Sequence, residues 1–325
     1  MRTFIIAEIG NNHEGNFKNA KDLINLAAKA GVDAVKFQTY KTDQFIRKVD
    51  KLRFKKLKKF QLSYKDFIKL YKHAKKKKLK FISTPLDFDS LSFLSKNSDM
   101  IKIASSDNNF FDFINEALKI KKKIIISTGM LSQNELIKLI NYTKILTKKY
   151  NRKHKTFFLH CVSSYPAEPK DLNLNSINFL LKKTNYDAGY SDHSIGIEAC
   201  LAAVTLGAKV IEKHFTIDKN FSNFRDHKIS SDFNEMKNLV NSIRRIENML
   251  GSTKKTLSKN ESLILKQVRR QPYALNQIKN GDVFSIKNTV FLRTPHNVKN
   301  ISIEKILNKK SIKNYDINQR ISKIK

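Results

Sequence analysis

Residues 186–214 read YDAGYSDHSIGIEACLAAVTLGAKVIEKH. Two short strand-like runs, 186–191 and 208–214, flank a helical stretch at 194–206. Both runs finish on polar residues: Ser191, Asp192 and His193 after the first, Glu212 and His214 in the second. Strand, helix, strand is the unit of a parallel sheet. The same alternation extends towards the N-terminus, with strand-like runs at 3–8, 33–37, 79–83, 99–103, 123–127 and 156–161. Helical patterns lie at 17–30, 64–78, 132–149 and 231–249, the first ending at Gly31. Eight strand-then-helix units in roughly 250 residues is the arithmetic of an α/β protein of the (β/α)8 barrel type. A doubly wound open sheet is the alternative, but no Gly-x-Gly-x-x-Gly follows the first strand.

After residue 250 the pattern changes. The barrel is expected over 1–250, a polar linker over 251–267, and a small β-rich domain with a thin core over 268–325. Within that domain, residues 276–281 (NQIKNG) are weakly echoed by 315–320 (YDINQR).

The chain has 325 residues, 63 Lys+Arg against 29 Asp+Glu, and a formal charge of +34. The densest run, 47–80, holds 16 basic and 2 acidic residues. Its lysines fall mainly outside the apolar face formed by Tyr64, Phe67, Ile68, Tyr71 and Ala74, so the run reads as Lys-rich composition. A basic nucleic-acid-binding protein is the distant alternative, disfavoured because the lysines are dispersed. No window is apolar enough to cross a membrane. The N-terminus lacks a signal-peptide pattern and reads as the first strand. Cys161 and Cys200 are too few for a disulfide framework or a four-Cys zinc site and read as buried small hydrophobes. A cytoplasmic enzyme without nucleic-acid or membrane partners is expected.

In a barrel the strand C-termini build the active site. Here they supply Glu8, Lys36, Gln38, Ser83, Thr84, Lys102, Ser105, Ser127, Thr128, Gly129, His160, Ser191, Asp192, His193, Glu212 and His214. Lys36 and Lys102 lie inside apolar runs, where lysine is rarely placed without a partner. With Ser105, Ser127, Thr128 and Gly129 they suit a small phosphorylated anion. His193 and His214 end consecutive strands and suit a divalent metal; two hydrogen-bonding histidines without metal is the competing reading. His13 reads as structural and His160 as a barrel-interior hydrogen-bonder.

These motifs carry a family resemblance. FIIAEIGNNHEG (4–15), AVKFQ (34–38), FISTP (81–85), KIAS (102–105), STGM (127–130), HCVSSYP (160–166), SDH (191–193) and EKHF (212–215) resemble the N-acetylneuraminate (sialic acid) synthase family. The tail is similar to that family's C-terminal antifreeze-like (SAF) domain, with Arg269-Arg270 at its start and Arg293 near a turn. The resemblance implies condensation of phosphoenolpyruvate with N-acetylmannosamine or a related N-acetylated aldose, giving phosphate and a nine-carbon 2-keto-3-deoxy sugar acid. It implies that Lys36, Thr84, Lys102, Ser105, Ser127 and Ser191 hold phosphoenolpyruvate, and that His193 and His214 bind a divalent metal, Mn²⁺ first, Mg²⁺ or Co²⁺ otherwise. Glu8, Asp226 and Glu212 are the candidate catalytic groups, and Gln38, Tyr165, Asp107 and Arg293 the candidate sugar contacts. Arg293 would arrive from the partner in a domain-swapped homodimer.

Three features depart from the family pattern. The segment between Gln38 and Leu62 is short and offers no match for a sugar-contacting asparagine; Asp107 stands where a glutamate is usual; and the C-terminal turn reads Leu292-Arg293-Thr294-Pro295. Legionaminic and pseudaminic acid synthases share the framework and are alternatives, as is another barrel enzyme joining phosphoenolpyruvate to an aldose phosphate.

Overall fold

Runs of Ile, Val and Phe buried on both faces form the parallel strands, as expected where helices cover a sheet from outside. The computed structural model describes residues 2–153, 156–184, 187–293 and 301–322. Tyr186, at the start of one expected strand, and Thr294 and Pro295 of the C-terminal turn lie outside them.

The chain divides into two compact units, Met1–Gly251 and Ser252–Lys325. The first is a closed barrel of eight parallel strands in sequence order. They are β1 (Phe4–Gly10), β2 (Ala34–Thr39), β3 (Lys80–Pro85), β4 (Met100–Ile103), β5 (Lys123–Ser127), β6 (Thr156–Cys161), β7 (Ala188–Asp192) and β8 (Val210–His214). Closure pairs β1 with β8, setting Ile6 beside Glu212 and Glu8 beside His214.

Helices separate the strands. The first, Phe17–Ala30, is capped by the Asn16 side chain and buries Ala20, Leu23, Ile24 and Ala27, one stripe at helical spacing. Gln133–Lys149 and Phe233–Leu250 begin at capping boxes, Ser132 with Glu135 and Asp232 with Glu235. The basic run contains a further helix, Lys51–Phe60, that the hydrophobic pattern does not announce.

Alternation along the strands determines the interior. Ile6, Ala34, Ile82, Met100, Ile125, Phe157, Leu159 and Val210 form one apolar cluster inside the barrel. Gly189 completes this level: a Cβ there would stand 2.4 Å from the Val210 carbonyl oxygen and 2.6 Å from Leu159 Cδ2. Two residues further along each strand the inward position is Glu8, Lys36, Thr84, Lys102, Ser127, Cys161, Ser191 or Glu212. The barrel is therefore filled by hydrocarbon below and by polar groups above.

The second unit holds an antiparallel pair, β9 (Arg270–Ala274) and β10 (Thr289–Arg293). Its core is Ala274, Ile278, Phe284, Ile306, Tyr315 and Ile321. Ile278 and Tyr315, one from each echoing segment, exchange backbone hydrogen bonds of 2.9 and 2.7 Å. The stretch expected as a linker carries a helix, Lys259–Val268, started by a Ser258–Glu261 capping box.

Candidate active site

At the C-terminal end of the barrel the inward polar groups line a cavity of about 720 Å³. Its floor is a charged network. Lys102 Nζ donates to Glu212 Oε1 and Oε2 at 2.9 and 3.1 Å. Ser191 Oγ donates to Glu212 Oε1 at 2.8 Å. Lys36 Nζ lies 2.7 Å from Glu8 Oε2 and 3.7 Å from Glu212 Oε1, and donates to Thr84 Oγ1 at 3.4 Å. All four charged groups are at most 4% exposed. Glu8 Oε2 has charge proximity to Lys36 but no well-aligned hydrogen bond.

The two carboxylates differ because their neighbours differ. Burial pushes Glu8 up, and the single adjacent Lys36 only partly opposes it, leaving a pKa of about 7. Burial would raise Glu212 too, but Lys102, Lys36 and the hydrogen bonds from Lys102 and Ser191 hold it at about 2. Glu212 is thus a fixed anion between two cations, while Glu8 can exchange a proton near neutrality. Burial pulls both lysines down. Glu212 and Glu8 overcome this for Lys36, whose pKa is raised, whereas Lys102 stays lowered.

Beside the network, Ser105, Ser127 and Ser163 face the cavity. Ser127 Oγ is buried and finds no hydrogen-bond partner among the described residues. The Gly129 N–H donates to Ser105 Oγ at 3.2 Å. A Cβ on Gly129 would stand 2.4 Å from Ser163 Oγ and 2.7 Å from Ser105 Oγ, so only glycine lets both hydroxyls converge. Asn108 clamps this loop by donating to the Ser127 and Gly129 carbonyls at 3.1 and 2.8 Å.

The opposite wall is imidazole and phenol. The His193 and His214 ring centroids are 5.4 Å apart, and Tyr165 stacks on His193 at 4.1 Å. His193 Nδ1 bonds the Val162 carbonyl at 2.7 Å, which places the proton on Nδ1 and leaves the Nε2 lone pair free. Burial, reinforced by His193 and Lys36, drives the His214 pKa well below the usual range, and its Nδ1 is a buried atom without a partner. Burial lowers the His193 pKa, but Cys161 and the Val162 carbonyl outweigh it and raise it, so a metal there competes with a proton; with the neutral His214, the pair fits a divalent metal. Among the described residues no group of three or more His, Cys, Asp or Glu side chains gathers to hold one, so water and substrate oxygens would complete the shell.

The loops add the rim. Gln38 accepts from Asn11 at 2.9 Å, and Asp226 Oδ1 lies 3.4 Å from Arg225 Nε. Burial raises the Asp226 pKa. The Arg225 guanidinium sits 4.6 Å over the Tyr165 ring. Arg53 and Lys56, from the helix in the basic run, also line the mouth.

Three expectations need correction or restriction. Asp107 does not line the cavity: it ends the turn Ser105–Asp107, half-buried, and accepts from Ser106 Oγ at 3.2 Å. Cys161 is more than a packed apolar group, for it faces the cavity with Sγ 3.6 Å from His193 Nδ1. His160, between the inward Leu159 and Cys161, points out of the barrel, bonding the Leu172 carbonyl at 2.7 Å and stacking on Tyr190. His13 is buried, its Nδ1 accepting from Gly15 N–H, and burial lowers its pKa to about 4. Arg293 ends β10 in the second unit and is exposed.

A closed parallel barrel whose strand C-termini converge on buried carboxylates, lysines and imidazoles defines a barrel enzyme with its active site at that end. The chain belongs to the NeuB family, whose model matches residues 23–255. It is 37% identical to the N,N'-diacetyllegionaminic acid synthase of Campylobacter jejuni, over 97% of this chain and 97% of that one. It is 34% identical to a pseudaminic acid synthase of the same species, over 97% and 94%. Among solved structures, the N-acetylneuraminic acid (sialic acid) synthetase of Leptospira borgpetersenii, in complex with citrate, superposes with a TM-score of 0.75. It is 35% identical and the match covers 81% of this chain and 90% of that one.

Proposed function

We propose that this enzyme condenses phosphoenolpyruvate with an N-acylated mannosamine-type aldose, releasing phosphate and a nine-carbon 2-keto-3-deoxy sugar acid. The observation that carries the reading is the Glu8–Lys36–Glu212–Lys102 network beneath the His193–His214 pair. Lys36 and Lys102 offset the charge of phosphoenolpyruvate, while Thr84, Ser105, Ser127, Ser191 and the Gly129 loop supply donors. Glu212 keeps both lysines in register without titrating. Gln38, Tyr165 and Asp226 face the sugar.

When bound at His193 and His214, a divalent metal such as Mn²⁺ would act as a Lewis acid on the open-chain aldehyde. The enol C3 of phosphoenolpyruvate attacks the aldehyde carbon, and Asp226, whose pKa burial raises, acts as the acid that gives a proton to the aldehyde oxygen. Positive charge then develops at C2. Water adds there and yields a proton to Glu8, whose raised pKa suits that exchange. The C2–O bond to phosphate breaks, the C2 hydroxyl proton passes to the departing phosphate, and the ketone forms.

The match to the N,N'-diacetyllegionaminic acid synthase across nearly both chains supports a second reading, in which the product is a legionaminic-type sugar acid. In either case the second unit would act as an antiparallel SAF-type domain, presenting Arg293 to the barrel of a second subunit.

The test is phosphate release from phosphoenolpyruvate with a panel of N-acylated aldoses and Mn²⁺, the product identified by mass. Aldose-dependent release with a nine-carbon product supports the assignment. Release independent of aldose, or none with any aldose, overturns it.

A further inference from the structure

A second buried ion pair lies on the opposite side of the same two strands. Asp192 and Lys213 are cross-strand neighbours on β7 and β8. Their side chains are 0% and 1% exposed, and Lys213 Nζ lies 2.7 Å from Asp192 Oδ2. Neither lines the cavity. They face the helix Glu198–Thr205, whose Cys200 Sγ donates to Asp192 Oδ2 at 3.3 Å. Asp192 Oδ1 accepts from Tyr190 OH at 3.0 Å, Ser194 N–H at 2.9 Å and Ser194 Oγ at 2.7 Å. Lys213 Nζ also donates to the Ser194 carbonyl.

Substrate has no route to this pair, so it does no chemistry. A buried pair is also a weak way to add stability, since apolar residues of similar volume often do as well. Its geometry specifies something else. Successive strand residues point to opposite faces. On the inner face the pair is preceded by Ser191 and Glu212, themselves hydrogen-bonded, and followed by His193 and His214. The bonds to Ser194 extend the clamp one residue beyond His193. Locking Asp192 to Lys213 outside therefore fixes how far apart the two imidazoles stand inside, and a register slip of β7 on β8 would separate them.

We propose that Asp192 and Lys213 are positioning residues that set the spacing of His193 and His214 for metal binding. The inference rests on the reading of those histidines as metal ligands. It is tested on the metal-stripped full-length chain by calorimetric titration with Mn²⁺, alongside melting temperature and phosphoenolpyruvate KM. The variants are Asp192→Asn/Lys213→Met, which removes both charges together, and Tyr190→Phe, which removes one hydrogen bond to the Asp192 carboxylate and leaves the pair intact. His193→Ala is the control.

The double variant is expected to stay folded and to bind Mn²⁺ about 10–100-fold more weakly, the range typical for residues that orient metal ligands. Its phosphoenolpyruvate KM should change by a smaller factor than its Mn²⁺ affinity, because Lys36, Thr84, Lys102 and Ser127 lie on other strands and only Ser191 and Glu212 share β7 and β8. Tyr190→Phe should shift Mn²⁺ affinity in the same direction by a smaller factor. Unchanged Mn²⁺ affinity in every variant that folds, with His193→Ala losing it, overturns the positioning role alone. A parent chain that binds no Mn²⁺, or a His193→Ala variant that binds as tightly as the parent, overturns the metal reading and this inference with it.

Discussion

Lys102 Nζ stands 2.9 Å from Glu212 Oε1, both side chains sealed inside the barrel, and no carboxylate other than Glu212 pairs with Lys102 among the described residues. An ion pair closed off from water stores its consequences in whichever partner is left behind.

Replacing Lys102 by Met would remove one cation from the proposed anion site and leave Lys36, at 3.7 Å, as the remaining lysine beside Glu212. A lost charge-assisted contact is worth about 1.5–3 kcal/mol. The phosphoenolpyruvate KM should rise roughly 10–150-fold by the usual conversion. The melting temperature should also fall, because breaking a buried pair costs about 3–5 kcal/mol. Steady-state kinetics and calorimetry check both; an unchanged KM removes Lys102 from the anion site.

The Glu8 pKa of about 7 makes a pH prediction. If Glu8 takes the water proton, it must be ionised, so kcat/KM should fall as pH drops through 7. Glu8→Gln should abolish that limb and lower kcat by about 100-fold or more. Stability runs the other way. A carboxyl raised from an ordinary 4.5 to about 7 binds its proton more tightly in the folded state. Its contribution is complete below pH 4.5 and is lost as pH rises through 7. A limb retained in Glu8→Gln would assign it to another group.

His214→Ala should remove most Mn²⁺ affinity and activity while leaving far-UV circular dichroism unchanged. The His214 imidazole is held neutral and its Nδ1 is unpartnered, so its loss breaks no protein hydrogen bond at that nitrogen. Metal binding equal to the parent would show that the imidazole pair has another purpose.

Gly129→Ala should raise the phosphoenolpyruvate KM with little loss of stability. The new methyl meets the Ser163 and Ser105 hydroxyls, which can rotate away, and the Ser105 Cβ at 3.2 Å, which must give slightly; turning Ser105 takes a proposed donor off the ligand. A variant with parental KM would mean that Ser105 does not touch phosphoenolpyruvate.

Mixing inactive Arg293→Ala with inactive Lys102→Met tests the shared active site. If Arg293 serves the barrel of a second subunit, exchange should pair an intact barrel with an intact arginine and restore part of the activity. No recovery despite demonstrated exchange would confine Arg293 to its own chain or exclude it from the site.

The eight strands were legible because each is a short apolar run, and strand-end chemistry because Lys, Glu and His interrupt those runs. Less accessible was what crowds out its own signal. In the basic run, Arg53 and Lys56 look like every neighbouring cation, yet they alone of that helix's cations line the mouth. Cys161 could have been found by counting: it stands two residues from the inward Leu159, and period two makes it inward as well, with His160 outward. The Asp192–Lys213 pair needed the register between two parallel strands, which no property of either segment encodes alone.

The hydrocarbon level formed by Ile6, Ala34, Ile82, Ile125, Leu159 and Val210 closes the barrel beneath the lysines. A vessel sealed at the bottom has one doorway, and everything must use it in turn. On the proposed reading, a reactant seated against Lys36 and Lys102 would enter first, and the sugar would then stand between it and solvent. Phosphate released at that depth would leave behind the sugar acid, so the closed floor would impose an order of entry and exit through the mouth.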